Sequence, residues 1–554
     1  MRLQLVFGLV ALLLFTQGCT NSTSTQNRFS DLTADIVFSN GVVYTLNDSA
    51  PVVQGFAVKN GKILALGTNE ELQGIRASRH VDLDGRSVYP GFYDAHCHFY
   101  GYAVDRRKIW LTGTKSFNDV LDTLVLHRDR LFMGWLFGRG WDQNDWVDKA
   151  YPDRRQLDSL FPDIPVFLLR IDGHAALVNS KALSICGITS DTRLEGGKVE
   201  VRNGRPTGLL IDNAVDLVKR KIPSPGRELE TAALLEAQQM CFAVGLTSLV
   251  DAGLDPVTID LIDSLQKAGV LKMRVNAMVS YSPKNLSLYK SRGRYRTERL
   301  HVCSFKLYAD GALGSRGACL MHDYADLPGH KGFLLSSPDS LNSVARQVRE
   351  MGFQLNTHCI GDSANHLLLK LYAGVLKGKN DLRWRIEHAQ CLAPDDFSLF
   401  RDFSIIPSVQ PVHATSDMYW AGDRLGKDRL KTAYAYKRLL QQNGFIAAGS
   451  DFPVEEINPL FGYYAAVARM DQKGFPEGGF QKSDALTREE ALKAMTIWAA
   501  YSSFEEKERG SLSSGKDADF VVLDGDLLKS PEKDLFKLKV SQTWIAGEQV
   551  YVAQ

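Results

Sequence analysis

Gly91-Phe92-Tyr93-Asp94-Ala95-His96-Cys97-His98 follows the apolar run around Val88, Tyr89 and Pro90 and sets two histidines one residue apart at the end of a predicted strand. Side chains alternate faces along a strand, so His96 and His98 point the same way, with Asp94 at the same parity. Two imidazoles and a carboxylate on one face suit a metal ion better than a packed core. If this strand belongs to a parallel sheet, its neighbours should end in residues of the same chemistry.

The middle of the chain supplies such neighbours, because apolar runs alternate there with helical patterns. Strands are predicted over Val88 to Ala95, Leu246 to Asp251, Met273 to Val279, Val302 to Tyr308, Gln354 to His358, Trp384 to His388, Ser404 to Val409 and Phe445 to Asp451. Helices fit between them, for example over Thr258 to Ala268, Ser340 to Met351, Ala364 to Leu376 and Arg429 to Asn443. Eight strands of this kind predict an α/β fold, a (β/α)8 TIM barrel over residues 88–499. A long excursion at about residues 100–244 carries the apolar strand Val166-Phe167-Leu168-Leu169-Arg170-Ile171, so it reads as an ordered insertion.

The two ends have a different texture. Short β-rich runs between Ala34 and Val88 are broken by Asn40-Gly41 and Asn60-Gly61, both of which predict hairpins. Similar runs return in Ala518 to Leu523 and Val540 to Val550. Residues 34–87 and 500–554 are therefore expected to form one small β-sandwich domain built from both termini.

Before residue 34 the chain reads as targeting sequence. Met1-Arg2 and the apolar run Leu3 to Phe15 form a secretory signal over residues 1–19, too short to span a membrane. Gly18-Cys19 resembles a bacterial lipobox, which implies a lipid anchor on Cys19, with plain signal-peptidase cleavage as the alternative. Residues 20–33 read as a flexible polar tether. The expected location is the bacterial periplasm or outer membrane. The other seven cysteines form no C-x-x-C pair, so small core residues are expected rather than a zinc ribbon. A net charge of +1 gives no electrostatic reason for a nucleic-acid partner, and a small molecule is the expected one.

Chemistry in a (β/α)8 barrel sits at the carboxyl ends of the strands. Strand four carries Lys306 inside an apolar run, strand five ends in His358, strand six in His388 and strand eight in Asp451. Together with His96 and His98 these residues predict a metal site. The set resembles the amidohydrolase superfamily. Arg170-Ile171-Asp172-Gly173-His174, the run Phe305 to Arg316, and Gly449-Ser450-Asp451-Phe452-Pro453-Val454 resemble its amidohydrolase-3 branch, which includes N-substituted formamide deformylase-like enzymes.

That resemblance implies a divalent metal, zinc first among the candidates, as one or two ions. His96 and His98 would hold the more buried ion and His358 and His388 the second. Lys306, carbamylated, would bridge them. Asp451 would ligate the first ion and take the proton of the attacking water. The implied reaction is hydrolysis of a non-peptide carbon–nitrogen bond in an amide or N-acyl amine. Two alternatives stay open: a single-metal hydrolytic deaminase of a heterocycle, and a lipoprotein that binds a ligand without turnover. Deaminating relatives place a Glu after strand five, where this chain has Gly361-Asp362.

Three further residues are candidates for substrate binding. His174 reads as an oxyanion or substrate contact, or as a loop histidine bonded to local backbone. Arg316 reads as a carboxylate clamp, or as a surface ion pair. Trp141 reads as a pocket wall, or as a packed core residue. His413 and Asp417 are expected at the rim, outside the ligand set.

Overall fold

The computed structural model describes residues 28–554, so the expected signal segment, Cys19 and most of the tether lie outside the described residues. Eight of the nine strands of the central sheet form the barrel: β1 (Phe92–Cys97), β2 (Leu246–Leu254), β3 (Arg274–Ser280), β4 (Leu300–Tyr308), β5 (Gln354–Cys359), β6 (Arg385–His388), β7 (Ile406–Val409) and β8 (Ala447–Ala448), while the short strand Tyr295–Arg296 pairs antiparallel with β4. The eight barrel strands pair in chain order and every ladder between them is parallel. The predicted (β/α)8 barrel is therefore observed.

Period-two alternation explains the two faces. In β4, Phe305 and Leu307 face outward and join the hydrophobic core that also holds Leu341, Val344 and Val348 of helix Pro338–Glu350. That helix starts where Ser337 accepts a hydrogen bond from Ser340 N and Pro338 takes the first turn, whose free amide proline lacks. Ser304 and Lys306 face the opposite way, into the barrel, where both are fully buried.

Beyond β8 the barrel closes on β1 through a side chain. The Asp94 carboxylate accepts from Ser450 N at 3.1 Å and Ser450 Oγ at 2.6 Å, and Asp451 N donates to His96 O at 2.7 Å. A Cβ on Gly449 would lie 2.4 Å from His96 N, so only glycine allows this approach.

Two details differ from the sequence reading. The predicted strand from Val88 to Ala95 is two strands: Ser87–Pro90 pairs antiparallel with Phe520–Leu523 in an outer sheet, and β1 begins after Gly91. Gly91 N is held by Asp519 O at 2.9 Å, which takes the chain out of one sheet and into the other. Asn60-Gly61 does turn a hairpin between Gly55–Lys59 and Lys62–Gly67, but Asn40-Gly41 carries the chain from one sheet to the next.

The terminal module packs a four-stranded sheet, wholly from the N-terminal side, on a six-stranded sheet drawn from both ends of the chain. Phe38 and Phe56 stack at 4.9 Å, and Phe520 and Trp544 at 5.4 Å, to fill the space between them. Within the insertion a mixed six-stranded sheet runs Gly197–Arg202, Arg205–Asp212, Ala175–Val178, Val166–Arg170, Leu136–Trp141, Ile109–Trp110, with separate apolar clusters including Phe167 and Leu168. Helix Arg227–Ala243 then leads into β2. The seven cysteines of the described residues are all free, and no helix among those residues is long and apolar enough to cross a membrane.

Candidate metal centre

The strand ends bring the unusual residues together inside the barrel mouth. His96 and His98 come from the end of β1, and the helix Phe99–Asp105 starts immediately afterwards. Its first turn is anchored by Asp251 of β2, whose carboxylate accepts from Tyr100 N at 2.9 Å. Lys306 of β4 points to the barrel axis, with Nζ 3.1 Å from His96 Nε2. His388 lies beside His96 and His358, with ring centroids 5.0 and 4.5 Å away. Asp451 reaches in behind β8, its Oδ1 at 3.1 Å from His98 Nε2 and 3.6 Å from His96 Nε2.

Two of these residues adopt backbone conformations that an ordinary strand does not allow. His388 has φ 74° and Asp451 φ 63°, in the left-handed region that costs a non-glycine residue free energy. The consequence at β6 is direct. Strand parity would send Glu387 and His388 to opposite faces, yet Glu387 touches His96 and His388 packs beside the same ring. The left-handed turn at His388 brings the second side chain inward.

Buried partners set which nitrogen of each imidazole is free. His96 Nδ1 is hydrogen-bonded to the Glu387 carboxylate, which is itself paired with Arg385 Nε at 2.7 Å. His388 Nδ1 donates to Gln410 Oε1 at 2.7 Å. Both assignments place the proton on Nδ1 and leave Nε2 bare, the arrangement in which a second partner orients a metal-binding histidine.

The electrostatics agree. Burial, reinforced by the Lys306 ammonium, pushes His96 down to about 4. Burial and the neighbouring imidazoles lower His358 well below the ordinary histidine value; at His388, burial, His96 and Lys306 outweigh Asp451 and do the same. At neutral pH these rings are uncharged, as ligands must be. Burial would raise Asp451, but the contact with His98 Nε2 at 3.1 Å and the positive charge that His96 and His98 carry when protonated overcome it and hold the carboxyl well below the usual range. Burial lowers the Lys306 ammonium to about 8.

Two tight donor sets result: His96, His98 and Asp451, and His388, His413 and Asp451, each with its ligand atoms within 4.8 Å of one another. Asp451 is common to both. Its Oδ1 is buried and accepts no hydrogen bond, although imidazole nitrogens surround it. Lone pairs facing lone pairs in a buried site are costly unless a cation lies among them. The nitrogen and carboxylate donors suit Zn²⁺, or another first-row divalent ion.

The positions of the remaining candidates are clear. His174 lines the cleft above the centre; its Nδ1 donates to Asp212 Oδ1 at 2.7 Å, and its ring lies 4.9 Å from that of His358. Arg316 does not line the cleft: it pairs with Asp326 at 2.8 Å. Trp141 is 1% exposed, donates from Nε1 to Leu168 O and stacks on Trp146, so it holds the insertion together. His358 is in neither tight set, with Nε2 3.5 Å from Gly311 O. His413, expected at the rim, instead puts Nε2 3.8 Å from Asp451 Oδ2. Asp94 is occupied by the barrel closure and supplies no ligand.

Glu387, Gln410 and Asp212 orient His96, His388 and His174, roles that the sequence reading does not assign. The one available signal was Glu387 next to a strand-end histidine, at the same parity as Arg385. Glu387→Gln should lower the affinity for a divalent ion by about 10–100-fold, read by competition with a chromophoric chelator. An unchanged affinity would show that Glu387 does not orient His96.

Comparison with known proteins bears on the whole chain. Residues 79–551 match the model of the amidohydrolase family. The chain is 33% identical over 528 residues to the putative amidohydrolase YtcJ of Bacillus subtilis (strain 168), covering 93% of this chain and 99% of that one. It is 26% identical to the N-substituted formamide deformylase of Arthrobacter pascens, covering 93% and 97% of the two chains. The crystal structure of an uncharacterized metal-dependent hydrolase from Pyrococcus horikoshii OT3 superimposes with a TM-score of 0.73 at 28% identity, over 90% of this chain and 99% of that one. A barrel whose strand ends converge on two metal-ligand sets, in a chain matched almost throughout by that model, belongs to the amidohydrolase family and is a metal-dependent hydrolase.

Proposed function

We propose that this protein hydrolyses a non-peptide carbon–nitrogen bond in a small amide or N-acyl amine. The observation that carries the proposal is Asp451, one carboxylate placed between two sets of bare imidazole nitrogens at the floor of a cleft. The likeness to an N-substituted formamide deformylase supports an amide-type bond.

A divalent cation in this site would supply Lewis acidity to the substrate carbonyl and acidify the attacking water. His96, His98 and Asp451 would hold one ion. His388 and His413 are the nearest pair for a second, with His358 alongside. Lys306, whose ammonium burial lowers to about 8, would add carbon dioxide by bonding its carbon through Nζ with loss of a proton, which would leave a carbamate anion beside His96. This would replace a cation beside His96 with an anion, which removes the charge conflict there.

The chain's own groups then handle the proton and the developing charge. Asp451, kept as a carboxylate, accepts the proton of the water and returns it to the leaving nitrogen. His174, fixed by Asp212, faces the cleft where it can steady the oxygen of the tetrahedral intermediate. Removal of the leaving amine follows once its nitrogen is protonated.

Asp451→Asn tests the proton role. It should retain part of the metal and lose about 10²–10⁴-fold in kcat against an amide and N-acyl amine library. Turnover equal to wild type would end this assignment.

The N-terminal segment carries a second part of the proposal, export with a lipid anchor on Cys19. The mass of the mature protein from its native membrane fraction should match a chain beginning at lipidated Cys19. A chain retaining Met1 would contradict export.

A further inference from the structure

The cleft above the centre has a volume of about 1310 Å³. Ordinary small-molecule sites occupy about 300–1,000 Å³, so the reacting bond fills only part of it. The remainder follows the helix Phe99–Asp105, which departs directly from His98. Gly101, Val104, Asp105 and Lys108 line the cleft, and their spacing of three and four residues puts them on one side of that helix and the turn after it. At a rise of about 1.5 Å per residue, Asp105 lies about 10 Å from His98.

The far end of this arm sets a buried pair of cations beside exposed ones. Lys108 Nζ is 2.5 Å from Asp105 Oδ1 and 3.9 Å from the ring centroid of Phe137. Arg139 Nε takes the other oxygen of Asp105 at 3.1 Å. Lys108 and Arg139 are 8% and 7% exposed. Their single shared carboxylate is thus used on both oxygens. Lys219, whose side chain is 42% exposed, lines the same arm, and its carboxylate partner Asp216 stands off at 4.0 Å. Lys108, Arg139 and Lys219 face Asp105 and Asp216, Asp172 in the cleft lining also acts on Lys219, and the exposed Arg220 and Lys221 line the arm with no ion pair among the described residues. Val104, Phe137, Leu169 and Val215 give the same cleft apolar wall.

Two buried cations on one carboxylate, with exposed cations beside them, leave an excess of positive charge that an anion would complete. We infer that this arm binds the anionic end of the substrate, a carboxylate carried on an apolar spacer about 10 Å from the scissile bond, and that Arg139 and Lys219 select for it. The inference rests on the amide reading for the bond that is cut; the recognition of the anion stands on the arm alone. Arg139, with Nε on Asp105 and Nη2 donating to Ile171 O at 3.4 Å, has Nη1 left for a ligand oxygen, and Lys219 adds a point charge on a flexible stem.

The test compares two amides that differ only at the far end: an N-acetyl-aminoheptanoate with its carboxylate opposite the amide, and N-acetylheptylamine. Metal-loaded wild type should prefer the carboxylate substrate by at least tenfold in kcat/KM, and Lys219→Gln and Arg139→Gln should each cut that ratio at least fivefold. A purely structural effect of either substitution would lower both substrates together and leave the ratio alone. Calorimetric binding of pimelate against its monomethyl ester supplies a readout without turnover. If neither amide is cleaved but pimelate is preferred and Lys219→Gln abolishes the preference, the amide reading fails and the anion arm stands. A wild-type ratio near one, with pimelate and its ester bound alike, would overturn the arm.

Discussion

The Asp94 carboxylate is the contact on which the rest depends. Between β8 and β1 the sheet runs out of ladder, and Asp94 substitutes for it by accepting from Ser450 N, Ser450 Oγ and His96 N. The same contact fixes the backbone on either side of the seam, so His96 and Asp451, which are far apart in sequence, are held next to each other. Burial raises Asp94 to about 7 in spite of its hydrogen bonds from Ser450 and His96. A carboxylate is thus spent on closing the barrel one residue pair away from the carboxylate that serves the metal site.

From that seam the centre is assembled by restraint rather than by ligand type alone. Glu387 and Arg385 hold His96, Gln410 holds His388, and left-handed backbone at His388 and Asp451 turns both side chains to the axis. Strained residues of this kind persist only where surrounding contacts over-determine them. The insertion performs the equivalent task from above, with Asp212 fixing His174 over His358. Floor and roof are therefore both held by buried hydrogen bonds, and the proposed basic arm beside the helix Phe99–Asp105 gives the space between them a direction.

Much of this was legible in the chain. Eight apolar runs at helical separations announce the barrel, and the period of two in Asp94-Ala95-His96-Cys97-His98 and in Ser304-Phe305-Lys306 puts the polar members inside. What could not be read depends on long-range contacts or on φ. The break at Gly91 exists because Phe520–Leu523 pairs with Ser87–Pro90, more than 400 residues away in sequence. Inward placement of both Glu387 and His388 contradicts strand parity until the φ of 74° is known. His413 approaches Asp451 only because the segment after β7 folds back as helix Pro411–Ser416. Arg316 and Trp141 are good recognition residues by type, but Asp326 and Leu168 already occupy their polar groups.

The central proposal is that Asp451 serves two donor sets and that Lys306 bridges them. A crystal structure of the metal-loaded protein, with anomalous scattering at the metal edge, tests it most directly. The account predicts two peaks sharing Asp451, one against His96 and His98 and one against His388, with density for a carboxylate on Lys306 Nζ. A single peak with an unmodified Lys306 would reduce the centre to one ion and favour the hydrolytic deaminase chemistry. A fully active protein with no metal at these residues would contradict the account outright.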